Sequence, residues 1–151
     1  MFDMKIEDEI RGRFRNDYHK GVINLIFTTN QINHQFNNFL KVHKITTPQY
    51  NILRVLRGFG EKPRSINFLR ERMLDRSSDV SRLVDRLFQR GLIRRAECVE
   101  DRRQKDVEIT EEGMEILSQM DECEKQVDTL LANLSSTEIK QMNSLLDKIR
   151  S

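Results

Sequence analysis

The chain has 151 residues, 33% of them charged, yet a formal net charge of only +2. That length suits one compact domain with a core of its own, since a domain of this size buries roughly 70% of its unfolded surface. The two cysteines, Cys98 and Cys123, are too few for a disulfide framework and lack metal-finger spacing; no apolar run approaches the ~20 residues of a membrane span and no signal-peptide pattern opens the chain, so a reducing cytoplasm is the expected location.

In chain order, the first dozen residues contribute Ile6 and Ile10, which fit either an added interface or a frayed end. From Tyr18 to His43, the residues Tyr18, Val22, Leu25, Ile26, Thr29, Ile32, Phe36, Phe39 and Leu40 recur mostly at steps of three and four. That period predicts a long amphipathic helix. Thr47 and Pro48 read as an N-cap and first-turn pair for a second helix, with Ile52, Leu53 and Leu56 inward and Gly58 and Gly60 as its stop. Ser65 is placed to cap a brief helix with Ile66, Leu69 and Met73 inward. A further helix is expected from near Ser77, with Val80, Leu83, Val84, Leu87 and Phe88 on its inner face, ending at Gly91.

Two short runs with period-two character and β-branched residues, Ile93 to Val99 and Val107 to Thr110, flank a charged stretch without an apolar side chain. They read as a hairpin with a protruding loop. Thr110 then caps another long helix, with Met114, Leu117, Met120, Val127, Leu130, Leu131 and Leu134 inward and an acidic exterior. Ser135 and Glu138 form a capping box opening the last helix, which carries Ile139, Met142, Leu145, Leu146 and Ile149 on one side. No repeat, low-complexity tract or flexible linker interrupts the series.

Helix, tight turn, helix and hairpin in this order make the winged helix-turn-helix plan, whose second helix enters a major groove. The fold expected is therefore mainly α with a small β-hairpin wing. Residues 62 to 95 hold ten basic residues against four acidic ones, a local +6 that is mostly arginine, the better fork for phosphate and guanine. Ser77, Ser78 and Ser81 are short enough to allow close approach, and Arg82 and Arg86 are long enough to reach a base edge or phosphate. Arg64 and Arg76, from the same run, join them as candidate DNA contacts. The neighbouring arginines Arg102 and Arg103 at the hairpin tip suit the negative potential of a minor groove. The two terminal helices carry more apolar length than one small lobe covers, which predicts burial against a second copy.

The motifs TTPQYNIL at 46 to 53, SRLVDRLFQRGLIRR at 81 to 95, EDRRQKDVEIT at 100 to 110 and TEEG at 110 to 113 closely resemble the MarR family of bacterial transcription regulators, over nearly the whole chain. Ile109 stands where that family more often has leucine. The resemblance implies one domain over 1–151, with 1–44 and 111–151 as dimerisation helices and 45–110 as the winged DNA-binding lobe. It implies a triangular homodimer gripping neighbouring turns of a pseudo-palindromic operator in double-stranded DNA, commonly as a repressor. By the same resemblance the recognition-helix contacts fall on Ser77, Ser78, Ser81 and Arg82 and the wing arginine on Arg103. Asp101, a carboxylate that phosphate would repel, is assigned the task of orienting the wing by pairing with Arg82 or Arg103. Family members often release DNA on binding a small aromatic or anionic effector, for which Tyr18, Phe36 and Tyr50 are the candidate lining here.

Other functions find less in the residues. The histidines His19, His34 and His43 lack an accompanying nucleophile, phosphate loop or H-E-x-x-H pattern, so no enzyme is expected. His34 or His43 would need acids from elsewhere in the fold to hold zinc, and no metal or cofactor is expected. Thiol sensing would fall to Cys98 or Cys123, neither in the N-terminal helix that redox-sensing relatives use. A winged-helix module that binds protein instead of DNA is the remaining alternative.

Overall fold

The computed structural model describes residues 5–60, 62–97 and 105–151. Among these lie the helices α1 (Ile6–Ile10), α2 (Asp17–Lys41), α3 (Thr47–Gly58), α4 (Ile66–Glu71), α5 (Val80–Gln89), α6 (Glu111–Thr129) and α7 (Ser136–Arg150), with strands β1 (Ile93–Glu97) and β2 (Lys105–Ile109) between α5 and α6. The chain divides into two compact units, with the boundary between Asn38 and Phe39.

In the N-terminal unit, α1 is tied to α2 by Lys20 Nζ, which donates to Glu7 Oε1 at 2.5 Å and holds that carboxyl below its usual range. Ile6 is buried, so part of the first dozen residues has a packed place. The apolar stripe of α2 is present as its spacing predicts, but Tyr18, Val22, Leu25 and Ile26 are all exposed, Tyr18 at 88%.

The larger unit has one core. Leu40, Ile52, Leu53, Leu56, Leu69, Val84, Leu87, Ile93, Val107, Leu117 and Met120 are all at most 2% exposed; each buried aliphatic side chain of this kind contributes roughly 1.5–3 kcal/mol. β1 and β2 pair antiparallel with Ile93 opposite Ile109 and Arg95 opposite Val107. Arg64, in the loop between α3 and α4, adds a one-residue third strand: its backbone N donates to Val107 O and its O accepts from Val107 N, both at 2.8 Å.

Local chemistry sets the ends of the elements. The cap of α3 is Thr46, one residue before the position the sequence suggested, because Gln49 at the third position completes a reciprocal box with it: Gln49 Oε1 accepts from Thr46 N at 3.1 Å and Thr46 Oγ1 accepts from Gln49 N at 3.4 Å. This also gives the amide oxygen of Gln49, a buried residue, a partner. Ser65 caps α4 and Ser135 with Glu138 boxes α7. α6 ends at Thr129, so Leu130, Leu131 and Leu134 lie in the turn after it and not on the helix that the periodicity predicted. β2 begins at Lys105, two residues earlier than its β-branched residues indicated, and β1 is described as far as Glu97. Phe88, expected on the inner face of α5, is 43% exposed. On α7, Leu145 and Ile149 are 61% and 66% exposed.

The joint between hairpin and α6 is close-packed. Thr110 N donates to Leu92 O at 3.1 Å, Thr110 Oγ1 donates to Gly91 O at 2.6 Å and accepts from Gly113 N at 3.2 Å. Gly91 has φ +71°, a conformation that glycine adopts freely. At Gly113 the reason for glycine is space: a Cβ there would lie 2.3 Å from Leu92 O. Gly113→Ala is expected to lower stability by about 1–3 kcal/mol through overpacking against backbone. Gly21→Ala, in α2 with nothing within 4 Å of its Cβ, is expected to raise it by about 0.5–1 kcal/mol; urea unfolding of both variants checks the pair.

Candidate nucleic-acid interface

The turn between α4 and α5 is built by side chains acting on backbone. Asn51, a buried residue of α3, accepts from Leu74 N through Oδ1 at 3.0 Å, which gives its amide oxygen a partner and fixes where the turn begins. Asp75 Oδ1 accepts from Ser77 N at 2.9 Å and from Ser77 Oγ at 2.6 Å. The two bonds favour the ionised form and hold the Asp75 carboxyl below its ordinary value. Asp79 is the cap of α5, accepting from Arg82 N at 3.1 Å.

This corrects the helix start near Ser77. Asp79 closes the first turn of α5 only if the residues before it are not helical, and Asp75 holds Ser77 outside the helix. Ser77 and Ser78 therefore belong to the turn, while Ser81 and Arg82 lie in the first turn of α5. The helix buries Val80, Val84 and Leu87, and presents Ser81, Arg82, Asp85, Arg86 and Gln89 to solvent.

The basic run sorts into two groups that a charge count does not separate. Arg95 of β1 is paired with Asp85 of α5, and its guanidinium lies 4.8 Å from the Phe88 ring centroid. Arg94 Nε donates across the hairpin to Glu108 Oε1 at 2.6 Å. Arg90, just after α5, donates to Lys44 O at 2.6 Å and to His43 O at 3.1 Å, supplying carbonyls in the turn after α2 with donors. Arg64 donates to Phe59 O at 2.7 Å, Arg72 to Phe68 O at 3.1 Å and Arg70 to Asn67 Oδ1 at 2.6 Å. Arg76, Arg82 and Arg86 are exposed, and their guanidinium groups have no hydrogen bond or ion pair among the described residues. Of the hairpin-tip residues, Asp101, Arg102 and Arg103 lie outside the described residues, as does Cys98.

The three aromatic residues assigned to an effector fall in different settings. Tyr18 is 88% exposed, Phe36 half-buried, and Tyr50 buried with Arg54 5.8 Å from its ring centroid. None of them lines a cavity of about 700 Å³ that opens between the end of α3, the hairpin and the start of α6. Leu56 and Met114 supply apolar wall there, while Arg57, Lys62, Arg94 and Glu111 bring charges of both signs. No local motif marks it, because its walls come from three separate stretches. His19 Nδ1 accepts from Arg15 N at 3.2 Å and the ring meets Phe14 edge-on. Among the described residues no three His, Cys, Asp or Glu side chains are grouped to hold a metal, and no helix is long and apolar enough to cross a membrane. Cys123 falls within α6.

Comparison with known proteins agrees with this geometry. The model of the MarR family matches residues 43–104, from the turn after α2 through the hairpin tip. The HTH-type transcriptional regulator MhqR of Bacillus subtilis (strain 168) is 24% identical over 119 residues, covering 78% of this chain and 81% of that protein. The crystal structure of a MarR transcription factor from Planctomyces limnophilus superposes with a TM-score of 0.68 at 26% identity, over 89% of this chain and 98% of that one. The organohalide-sensing regulator RdhR-CbdbA1625, in its 2,4-dichlorophenol-bound form, superposes with a TM-score of 0.80 at 20% identity, over 99% of this chain and 86% of that one.

The Asp75 turn is open to titration. A carboxyl with a lowered pKa stabilises the folded turn above its ordinary value of 3.8, and the contribution fades as pH falls through the lowered value. Ser77→Ala removes the hydroxyl donor, the larger of the two causes, so Asp75 is expected to titrate higher in that variant than in the unaltered chain, as followed by carboxyl NMR shifts.

Proposed function

We infer that this chain, a member of the MarR family of winged helix-turn-helix transcription regulators, binds a pseudo-palindromic operator in double-stranded DNA as a homodimer and represses transcription from it. Its chemistry is recognition, not turnover. The observation that carries the reading is the outer face of α5, where Ser81, Arg82 and Arg86 are exposed opposite a buried stripe and the two arginines have no acceptor among the described residues. A helix so turned offers short polar groups at its N-terminal end and two guanidiniums one turn apart, which suits a major groove about 12 Å wide. Ser77, Ser78 and Arg76, in the turn just before, fit contacts to the adjoining phosphates.

Arg102 and Arg103 are assigned to the flanking minor groove, and Asp101 to pairing with one of the arginines beside it. The exposed apolar residues of α2 and α7 support a two-fold partner, so that residues 1–44 and 111–151 form the dimer interface and 45–110 the reading lobe. A regulator of bacterial DNA is expected in the cytoplasm. The RdhR-CbdbA1625 relative binds 2,4-dichlorophenol; by analogy this chain responds to a small aromatic or anionic effector, and the cavity beside the hairpin is of a volume that holds one. Such a ligand releases DNA only if it prefers the non-binding arrangement.

Selection of duplexes from a random pool, repeated at two salt concentrations, tests the reading. The expected product is an inverted repeat with half-sites about one helical turn apart, bound less tightly as salt rises; a folded protein that enriches nothing would overturn it in favour of a protein-binding module. On the selected site, Arg82→Ala is expected to cost about 1–3 kcal/mol and to relax preference at one position if the side chain forks onto guanine, whereas Arg103→Ala relaxes the A·T preference at the flanks; a fall of the salt slope by about one would instead place the arginine on a phosphate.

A further inference from the structure

Arg64 is the member of the basic run most completely engaged by the protein itself. Its backbone is bonded in both directions to Val107 of β2. Its guanidinium donates to Phe59 O and lies 4.8 Å from the Phe68 centroid and 5.9 Å from that of Phe59. Its Nε is buried without a partner among the described residues. Phe59 and Phe68 meet edge to face at 5.1 Å and 86°. Arg72, the residue after α4, brings a second guanidinium to the same rings, 3.5 Å from the Phe68 centroid and 5.0 Å from that of Phe59.

Two cations on one pair of rings would repel in isolation. Here each has a carbonyl acceptor, Phe59 O for Arg64 and Phe68 O for Arg72, and the ring faces supply negative quadrupole to both. The cluster therefore joins three separate elements: the loop after α3, the helix α4 and the strand β2. A side chain so occupied is poorly disposed to leave for a phosphate, because doing so would abandon the carbonyl bond and the ring face together.

We propose that Arg64 is a positioning residue, not a DNA contact: through Phe59, Phe68 and Val107 it holds the β-hairpin against α4 and so sets where the hairpin arginines fall relative to the groove that α5 enters. The proposal rests on the DNA-binding reading above for its consequence, but its structural half is independent of DNA. Phe68 is the discriminating partner, since it has no charge to offer a phosphate.

The test uses Arg64→Met, Phe68→Leu and the double variant in the full-length chain. Without DNA, the Val107 amide should exchange hydrogen faster in all three, with α6 amides unaltered as the control for global unfolding. With the selected duplex, each single variant should bind roughly tenfold more weakly, and the double variant should be no weaker than either, the signature of two residues in one unit. Hydroxyl-radical protection of the flanking minor grooves should disappear while dimethyl sulfate protection of guanines in the major groove persists, a pattern that general destabilisation would not give. Weakened binding by Arg64→Met with Phe68→Leu indistinguishable from the unaltered chain would mean that Arg64 meets phosphate directly and overturn the proposal. So would unchanged Val107 exchange and unchanged flanking protection in both single variants. A chain that protects no duplex, yet shows the faster exchange, would sink the DNA reading and leave the strut standing.

Discussion

The surface that α5 offers depends on how the helix is turned about its own axis, and that rotation is set by the burial of Val80, Val84 and Leu87. Three apolar side chains at steps of four and three occupy one stripe of a helix. Once that stripe is buried, the positions between it have no freedom to choose their side. Ser81, Arg82 and Arg86 face solvent because their neighbours cannot. Removing one of the three from the core would cost the transfer free energy and the cavity together, so the orientation of the outer face of α5 is held by the same energy that holds the fold.

A second constraint acts on the arginines. A guanidinium has five donors and gains most where a planar acceptor or a ring face meets it. Arg95 finds Asp85 and Phe88, Arg94 finds Glu108, and Arg90 finds the carbonyls of His43 and Lys44. These pairs are largely exposed, so each is worth little in stability. Their effect is geometric. Arg95 links β1 to α5, and Arg90 links the end of α5 to the turn after α2, leaving the helix little room to rotate or slide. Among the described arginines of residues 62–95, those whose guanidinium has no such partner, Arg76, Arg82 and Arg86, lie on α5 and in the turn just before it. The overall charge of +2 conceals this, because it adds the paired arginines to those left exposed on α5.

The reach of the sequence follows the same division. Features written in local periodicity or in short polar spacings are legible: the stripes of α2 and α5, the Ser135 and Glu138 box, the stop at Gly91, the hairpin. The start of α5 is not, because Asp75, Ser77 and Asp79 are all good caps in isolation, and only their mutual bonding decides which one acts. The exposure of Phe88 and the end of α6 before Leu130 escape periodicity, which reports which residues share a face and not how far the core extends along it. The roles of Arg64 and Arg90 are beyond its reach, since their partners lie on other elements; Arg90 and Lys44 are separated by 46 positions. The cavity beside the hairpin is equally hidden, its walls meeting only in the folded chain.

That cavity touches the struts it lies among. Arg94, Thr110 and Glu108 line it, and the same residues hold the hairpin together and fasten it to α6 through Leu92 and Gly91. The core behind them is close-packed, with no slack for Gly113 to take even a methyl group, so pressure on this joint is not absorbed locally by loose packing. A molecule seated in the cavity would share an acceptor or donor with Arg94, Glu108 or Lys62, and could alter the hairpin only by what it gains in one arrangement over another. Tight binding alone would change nothing. The chemistry that matters is therefore a group able to compete for the Arg94 and Glu108 pair, an anion for the one or a cation for the other, carried on an apolar body that Leu56 and Met114 would cover.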